Sequence, residues 1–226
     1  MSNSRPTVAL IHASPASVNP AKAAFASAFP DAELWNLLDD RLVVDADLAG
    51  GLTPALHARM STLIQYALDG GAAAVQLSCS MYGPVAADAA GHTNVPVLAS
   101  DQAMFEYVRD SAVGKVGVLG SLESAASDSA ERLRAELAET STETSVTWRV
   151  AEGAAKAANA GELVLLEELM IANAQELARE VDLILIAQYS LAPTLDAVAA
   201  AVAVPVLSPP HLAASTLRAE LARDAS

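Results

Sequence analysis

The chain of 226 residues has one cysteine, Cys79. An internal disulfide and any multi-cysteine metal site are therefore excluded, and a reducing compartment fits. Cations are also scarce, with 13 Lys+Arg against 27 Asp+Glu, giving a net charge of −14. A field of that sign repels phosphate backbones and anionic lipid surfaces, so neither nucleic acid nor a membrane is expected as a partner. No apolar stretch reaches the roughly 18–20 residues of a membrane span. There is no Gly-x-Gly-x-x-Gly and no phosphate-loop Lys, so nucleotide cofactors find no support. Cys79 and the four histidines show no metal-ligand spacing, so neither metal nor other cofactor is expected. Hydrophobic residues, by contrast, make up 53% of the chain and charged ones only 18%. Such a chain buries a sizeable core and is not intrinsically disordered.

Arg5 precedes the apolar run Thr7–Ile11, but His12 interrupts that run, which is short and β-branched. It reads as a first strand rather than a leader, and a cytoplasmic protein is expected. Further on, apolar runs of strand length alternate with helical patterns. Strands are expected at Val8–Ile11, Ala32–Trp35, Ala72–Leu77, Val95–Leu98, Val116–Leu119, Val146–Val150, Leu183–Ile186 and Val204–Leu207. Helices are expected near Pro20–Phe29, from Pro54 to about Leu68, from about Val85, at Ser127–Glu139 and Glu162–Glu180, and at about His211–Arg223. Thr53-Pro54 reads as an N-cap followed by Pro at the first helical position, and Gly70-Gly71 as the stop. The Ala-rich stretches Ala151–Ala160 and Ala197–Ala203 read as helix or turn. Alternating strands and helices predict an α/β fold with parallel sheets, whose near-continuous apolar strands are buried on both faces.

The order of these elements repeats. Val95-Pro-Val-Leu98 recurs as Val204-Pro-Val-Leu207, 109 residues on. Ala74–Ser80 pairs with Leu183–Tyr189 at the same offset, and Val8–Ile11 with Val116–Leu119 at 108. The pattern predicts two pseudo-symmetric lobes, each a parallel sheet flanked by helices, with a cleft between them. Lobe 1 is expected at about residues 1–102, lobe 2 at about 103–210, with the C-terminal helix 211–226 packing back on lobe 1. Ligands of open α/β sheets sit beyond the carboxyl ends of the strands. The candidate loops are thus His12–Ser17, Ser78–Pro84, Ser121–Ser124 and Gln188–Pro193, none of which contains Lys or Arg.

Cys79 follows an apolar strand and precedes an expected helix start at Gly83-Pro84. A thiol there meets free N–H groups and the positive end of the helix dipole, which favour thiolate. A thiolate can abstract a proton, return it, or attack a double bond; the alternative is a buried apolar cysteine. Gln188 suits a hydrogen bond to a carboxylate or developing enolate, or else a loop-satisfying role. His12 suits a base or ion-pair partner of Cys79, or a structural histidine. Ser14 suits an anion contact. Ser121 and Ser124, with backbone N–H groups, suit an anion nest or an ordinary helix cap. Ser80, Met81, Tyr82, Tyr189 and Ser190 complete the candidate binding group, the larger side chains leaving room for an apolar substituent. His211 suits the cleft, a surface position or a cap.

Three segments, Gln76-Leu-Ser-Cys-Ser80, Val116–Ser121 with Ser124, and Leu185-Ile-Ala-Gln-Tyr-Ser190, resemble the aspartate/glutamate racemase superfamily. That group includes cofactor-independent racemases, hydantoin and allantoin racemases, maleate isomerase and arylmalonate decarboxylase. Asn36–Asp40 with Gly51–Pro54 look most like its hydantoin-racemase side. The resemblance implies a thiol from each lobe acting on opposite faces of a substrate carbon, Ser/Thr groups binding a carboxylate at Ser121 and Ser124, and often a homodimer. Cys79 matches the first thiol. The second falls on Gln188, by the family pattern and by the 109 offset. Glutamine is neither acid nor base at neutral pH, so symmetric two-thiol racemisation is not expected. The expected function is an isomerase or decarboxylase acting through Cys79 on a small anionic or amide-containing substrate. The alternative is a non-catalytic small-molecule binder on the same fold.

Overall fold

The computed structural model describes residues 5–111, 113–138 and 143–224. The chain divides into two units, Met1–Ala103 with Pro210–Ser226, and Met104–Pro209. Among the described residues no helix is long and apolar enough to cross a membrane.

The first unit holds β1 (Thr7–His12), α1 (Val18–Ala28), β2 (Glu33–Leu38), α2 (Arg41–Ala49), α3 (Pro54–Asp69), β3 (Ala74–Leu77), α4 (Gly83–Ala90) and β4 (Val97–Leu98). α5 (Gln102–Asp110) follows. The second unit continues with β5 (Lys115–Gly120), α6 (Glu123–Ala138), β6 (Ser145–Val150), α7 (Ala154–Ala160), α8 (Leu163–Leu177), β7 (Leu183–Ile186), α9 (Leu195–Ala201) and β8 (Val206–Leu207). The last helix, α10 (Pro209–Asp224), belongs almost wholly to the first unit. Each unit is an α/β layer built on one four-stranded sheet. The orders are β2-β1-β3-β4 and β6-β5-β7-β8, and every pairing is parallel. The sequence repeat is thus a repeat of topology.

All four residues of β3 and of β7 are buried, as parallel strands covered on both faces must be. The helices that precede them repeat as well. α3 buries Leu56, Met60, Ile64 and Ala67, while α8 buries Leu166, Met170, Ala174 and Leu177 at the same spacing. These stripes pack into the two cores, the first with Ile11, Val75 and Leu77, the second with Leu119, Ile184 and Ile186. Thr53 caps α3 as expected, its Oγ1 accepting the Leu56 N–H at 3.3 Å, with Pro54 opening the helix. Gly71, at φ +83°, turns the chain out of α3 in a conformation that favours glycine.

Several boundaries differ from expectation. β4 and β8 have two residues each, not four, because Pro96 and Pro205 have no N–H for the ladder. Their carbonyls still accept, from Val75 N (2.8 Å) and Ile184 N (3.0 Å). α6 begins at Glu123 rather than Ser127; Glu139, its expected end, lies outside the described residues. α8 stops at Leu177, short of Glu180. α2 was not expected. It buries Leu42 and Ala46, and an ion-pair chain holds it: Arg59 grips Asp39 at 2.5 and 2.6 Å and Asp45 at 2.9 Å, and Asp45 meets Arg41 at 2.7 Å.

Candidate active site

In the first unit, β1 and β3 lie side by side with Ile11 opposite Leu77. The Ser78 N–H donates to Ile11 O at 3.0 Å, so the chain leaves β3 still in register. Cys79 comes next, extended at φ −121°, ψ 121°. A single 3-10 turn, Ser80–Tyr82, follows and runs directly into α4. Cys79 is half-buried and packs partly against the first core. Ser80 and Met81 beside it are also half-buried.

His12 ends β1 and is 0% exposed. Its Nε2 lies 3.1 Å from Asn36 Oδ1, and its Nδ1 lies 3.0 Å from Ser78 Oγ and 3.1 Å from Ser17 Oγ. Asn36 Oδ1 only accepts, which assigns the ring proton to Nε2 and leaves Nδ1 as acceptor. The Ser17 hydroxyl donates to Ser14 O at 2.8 Å, so the Ser78 hydroxyl supplies Nδ1. Burial pushes the His12 pKa below its ordinary value, against the opposing pull of the Asn36 bond. The ring is a sealed, neutral acceptor. With Nε2 on Asn36 and Nδ1 on Ser78 and Ser17, this geometry favours the structural alternative over a base or ion-pair partner of Cys79. Ser14 is half-buried, and its Oγ accepts the Ala16 N–H at 3.4 Å.

Tyr82 was expected to line a binding surface, but it is 0% exposed. Its hydroxyl donates to the Leu42 carbonyl in α2 at 2.9 Å. Burial, then negative charge on Cys79, hold its pKa up to about 12, so it remains a donor. It acts as a tie between the Cys79 turn and α2.

In the second unit, Leu119 of β5 stands opposite Ile186 of β7, and Ala187 N donates to Leu119 O at 2.9 Å. The register is that of the first unit, and it places Gln188 where the first repeat has Cys79. Gln188 Oε1 accepts two bonds from one residue: the Ser121 backbone N–H at 2.9 Å and the Ser121 hydroxyl at 2.8 Å. Ser121 is buried and Gln188 half-buried. Gly120, just before Ser121, makes room for α6, since a Cβ there would stand 2.9 Å from Ala126 Cβ and 3.2 Å from its N. Ser124 lies exposed in the first turn of α6 rather than in a loop. Tyr189 is 3% exposed and Ser190 half-buried, both in the 3-10 segment Tyr189–Thr194. The small exposure of Tyr189 leaves little of its ring for a ligand. His211 sits half-buried in the first turn of α10, its carbonyl accepting the Ser215 hydroxyl. Sequence reasoning missed Asn36, Ser17 and Ser78 as partners of His12. Asn36 left a signal, as the one polar side chain within Leu34-Trp-Asn-Leu-Leu38.

The Asp/Glu/Hydantoin racemase family matches residues 53–217, well over half of the chain. The chain belongs to this family. No curated protein matches this racemase-family chain in sequence. Among solved structures it is similar to the aspartate racemase of Picrophilus torridus (TM-score 0.73, 11% identity, 96% of this chain and 94% of that one). It is also similar to the allantoin racemase of Klebsiella pneumoniae (TM-score 0.71, 12% identity, 97% and 89%). A third neighbour is arylmalonate decarboxylase (TM-score 0.64, 22% identity, 94% and 92%). At these identities the likeness is one of fold. Family membership supports an enzyme of racemase type.

Proposed function

We propose that this racemase-family protein is a cofactor-independent isomerase or decarboxylase in which Cys79 moves a proton, or forms an adduct, beside a carboxylate or carbonyl of a small acid, amino acid or hydantoin-like substrate. The observation that supports it best is the matched register that sets Cys79 and Gln188 at equivalent strand ends, one able to exchange a proton and the other not. The helical turn after Cys79 favours an ionised sulfur.

With one thiol and a sealed His12, single-faced chemistry is favoured. In decarboxylation of a malonate-type acid, one C–C bond breaks and carbon dioxide leaves. The electron pair passes to an enolate, and Cys79, first protonated from water, delivers that proton to the α-carbon and returns to thiolate. The NH2 of Gln188 is a donor suited to oxygen, both donors of Ser121 being taken by Gln188 Oε1. A second reading, a binder without catalysis, is motivated by the glutamine itself.

The test incubates the protein with α-substituted malonates, amino acids and hydantoins in heavy water and follows them by proton NMR. Turnover or α-deuteration that Cys79→Ala loses supports the enzyme. Turnover retained by Cys79→Ala rejects Cys79. Ligand-induced stabilisation that survives Cys79→Ser, with no deuterium incorporated, favours the binder.

A further inference from the structure

We infer that Gln188 determines specificity by presenting only donors, so that it takes an acceptor oxygen, as in a carboxylate or carbonyl, and refuses an ammonium group. The inference rests on the reading of Gln188 as a ligand group and adds the polarity of what it binds.

A free glutamine amide is ambivalent, since its oxygen accepts and its NH2 donates, and rotation exchanges the two. Here the rotation is fixed. Oε1 has two lone pairs, and Ser121 fills both, with its N–H at 2.9 Å and its O–H at 2.8 Å. The N–H belongs to the backbone and cannot turn away. Flipping the amide would set NH2 against that N–H, donor against donor, at a buried residue where water does not stand in. The only outward group left on Gln188 is Nε2 with its two hydrogens, and among the described residues no acceptor takes them. An acceptor oxygen completes them. An ammonium, which carries donors only, meets donors and gains nothing.

The chemical consequence is a division among candidate substrates. A free amino acid offers an ammonium and a carboxylate at its α-carbon, and only the second suits Gln188. A malonate-type acid or a hydantoin offers oxygen acceptors on both sides of that carbon, so either orientation is accepted.

Gln188→Glu inverts the polarity with little change of shape. One carboxylate oxygen keeps the Ser121 donors, while the other replaces NH2 by a charged acceptor. The probes are malonate, hydantoin and 1,3-diaminopropane, followed by calorimetry and by the side-chain NH2 resonances of Gln188. In the wild type, malonate or hydantoin is expected to bind and shift those resonances, and the diamine to leave them unmoved. Gln188→Glu should weaken the acceptor probe at least ten-fold and improve the diamine. Gln188→Met, which lacks both donor and charge, should weaken the acceptor probe as much and leave the diamine unchanged, and it serves if the glutamate variant does not fold. Several outcomes would overturn the inference: acceptor binding within two-fold of wild type in either variant, binding that leaves the Gln188 NH2 unmoved, a diamine that shifts it, or no binding of malonate and hydantoin. These readouts are independent of turnover by Cys79→Ala, so the polarity and the catalytic reading fail separately.

Discussion

His12 Nδ1 lies 3.0 Å from the hydroxyl of Ser78, the residue directly before Cys79. A buried neutral ring thereby sets the strand end from which the candidate thiol projects. The neutral state carries a pH signature. The folded pKa is lowered and the unfolded ring titrates near 6.5. Below that value the unfolded chain takes up a proton more readily, so stability falls as pH drops through the window between the two. Above the unfolded value this contribution is complete. Thermal denaturation between pH 7.5 and 5 is expected to show a steeper loss in Tm for wild type than for His12→Gln, and parallel curves would contradict it.

Tyr82→Phe removes the one donor that reaches the Leu42 carbonyl from the Cys79 turn. Leu42 is fully buried, so its carbonyl is left without that bond at a cost of about 1–2 kcal/mol. Amide exchange should accelerate in residues 41–49 ahead of the sheet. Unchanged protection there would show that the ion pairs of Arg59 hold α2 alone.

Gly120→Ala places a methyl 2.9 Å from Ala126 Cβ, against helix backbone that must shift to admit it. A loss of about 1–3 kcal/mol is expected, the cost typical of overpacking. Because Ser121 is the next residue, the Gln188 amide resonances should move with it. Gly91→Ala is the control, since its nearest neighbour would be at 3.4 Å and its φ is −67°. It should be neutral or slightly stabilising in the same denaturation experiment.

Thr53→Ala should cost about 1 kcal/mol through loss of the cap on α3, with Thr53→Ser recovering most of it. Equal midpoints in urea for all three proteins would mean that Pro54 and the buried stripe set the helix start without the hydroxyl.

What was legible in the sequence was what local chemistry decides. The apolar runs around Val8, Ala74, Val116 and Leu183 became the inner strands β1, β3, β5 and β7, and Thr53-Pro54 marked the start of α3. The repeat led to one topology twice over, and the offset that pairs Cys79 with Gln188 agrees with the strand registers. What stayed hidden depends on contacts distant in sequence. Val43 and Val44 are poor helix formers, and α2 exists through burial of Leu42 and Ala46 and through Arg59, contributed by another helix. His12 looked reactive because its three partners, Asn36, Ser17 and Ser78, come from three separate segments. The bond that orients Gln188 spans 67 residues to Ser121, beyond any motif.

β4 and β8 form one border of each sheet, and each is entered through a proline. A border strand is ordinarily a template on which a foreign strand can crystallise its backbone. Pro96 and Pro205 shorten that template: each turns its donor-less nitrogen toward the sheet, on the side where its carbonyl accepts from Val75 or Ile184, and leaves only two paired residues beyond it. The Val-Pro-Val-Leu signature that betrays the duplication is therefore also a guard against fibril-like stacking at both borders.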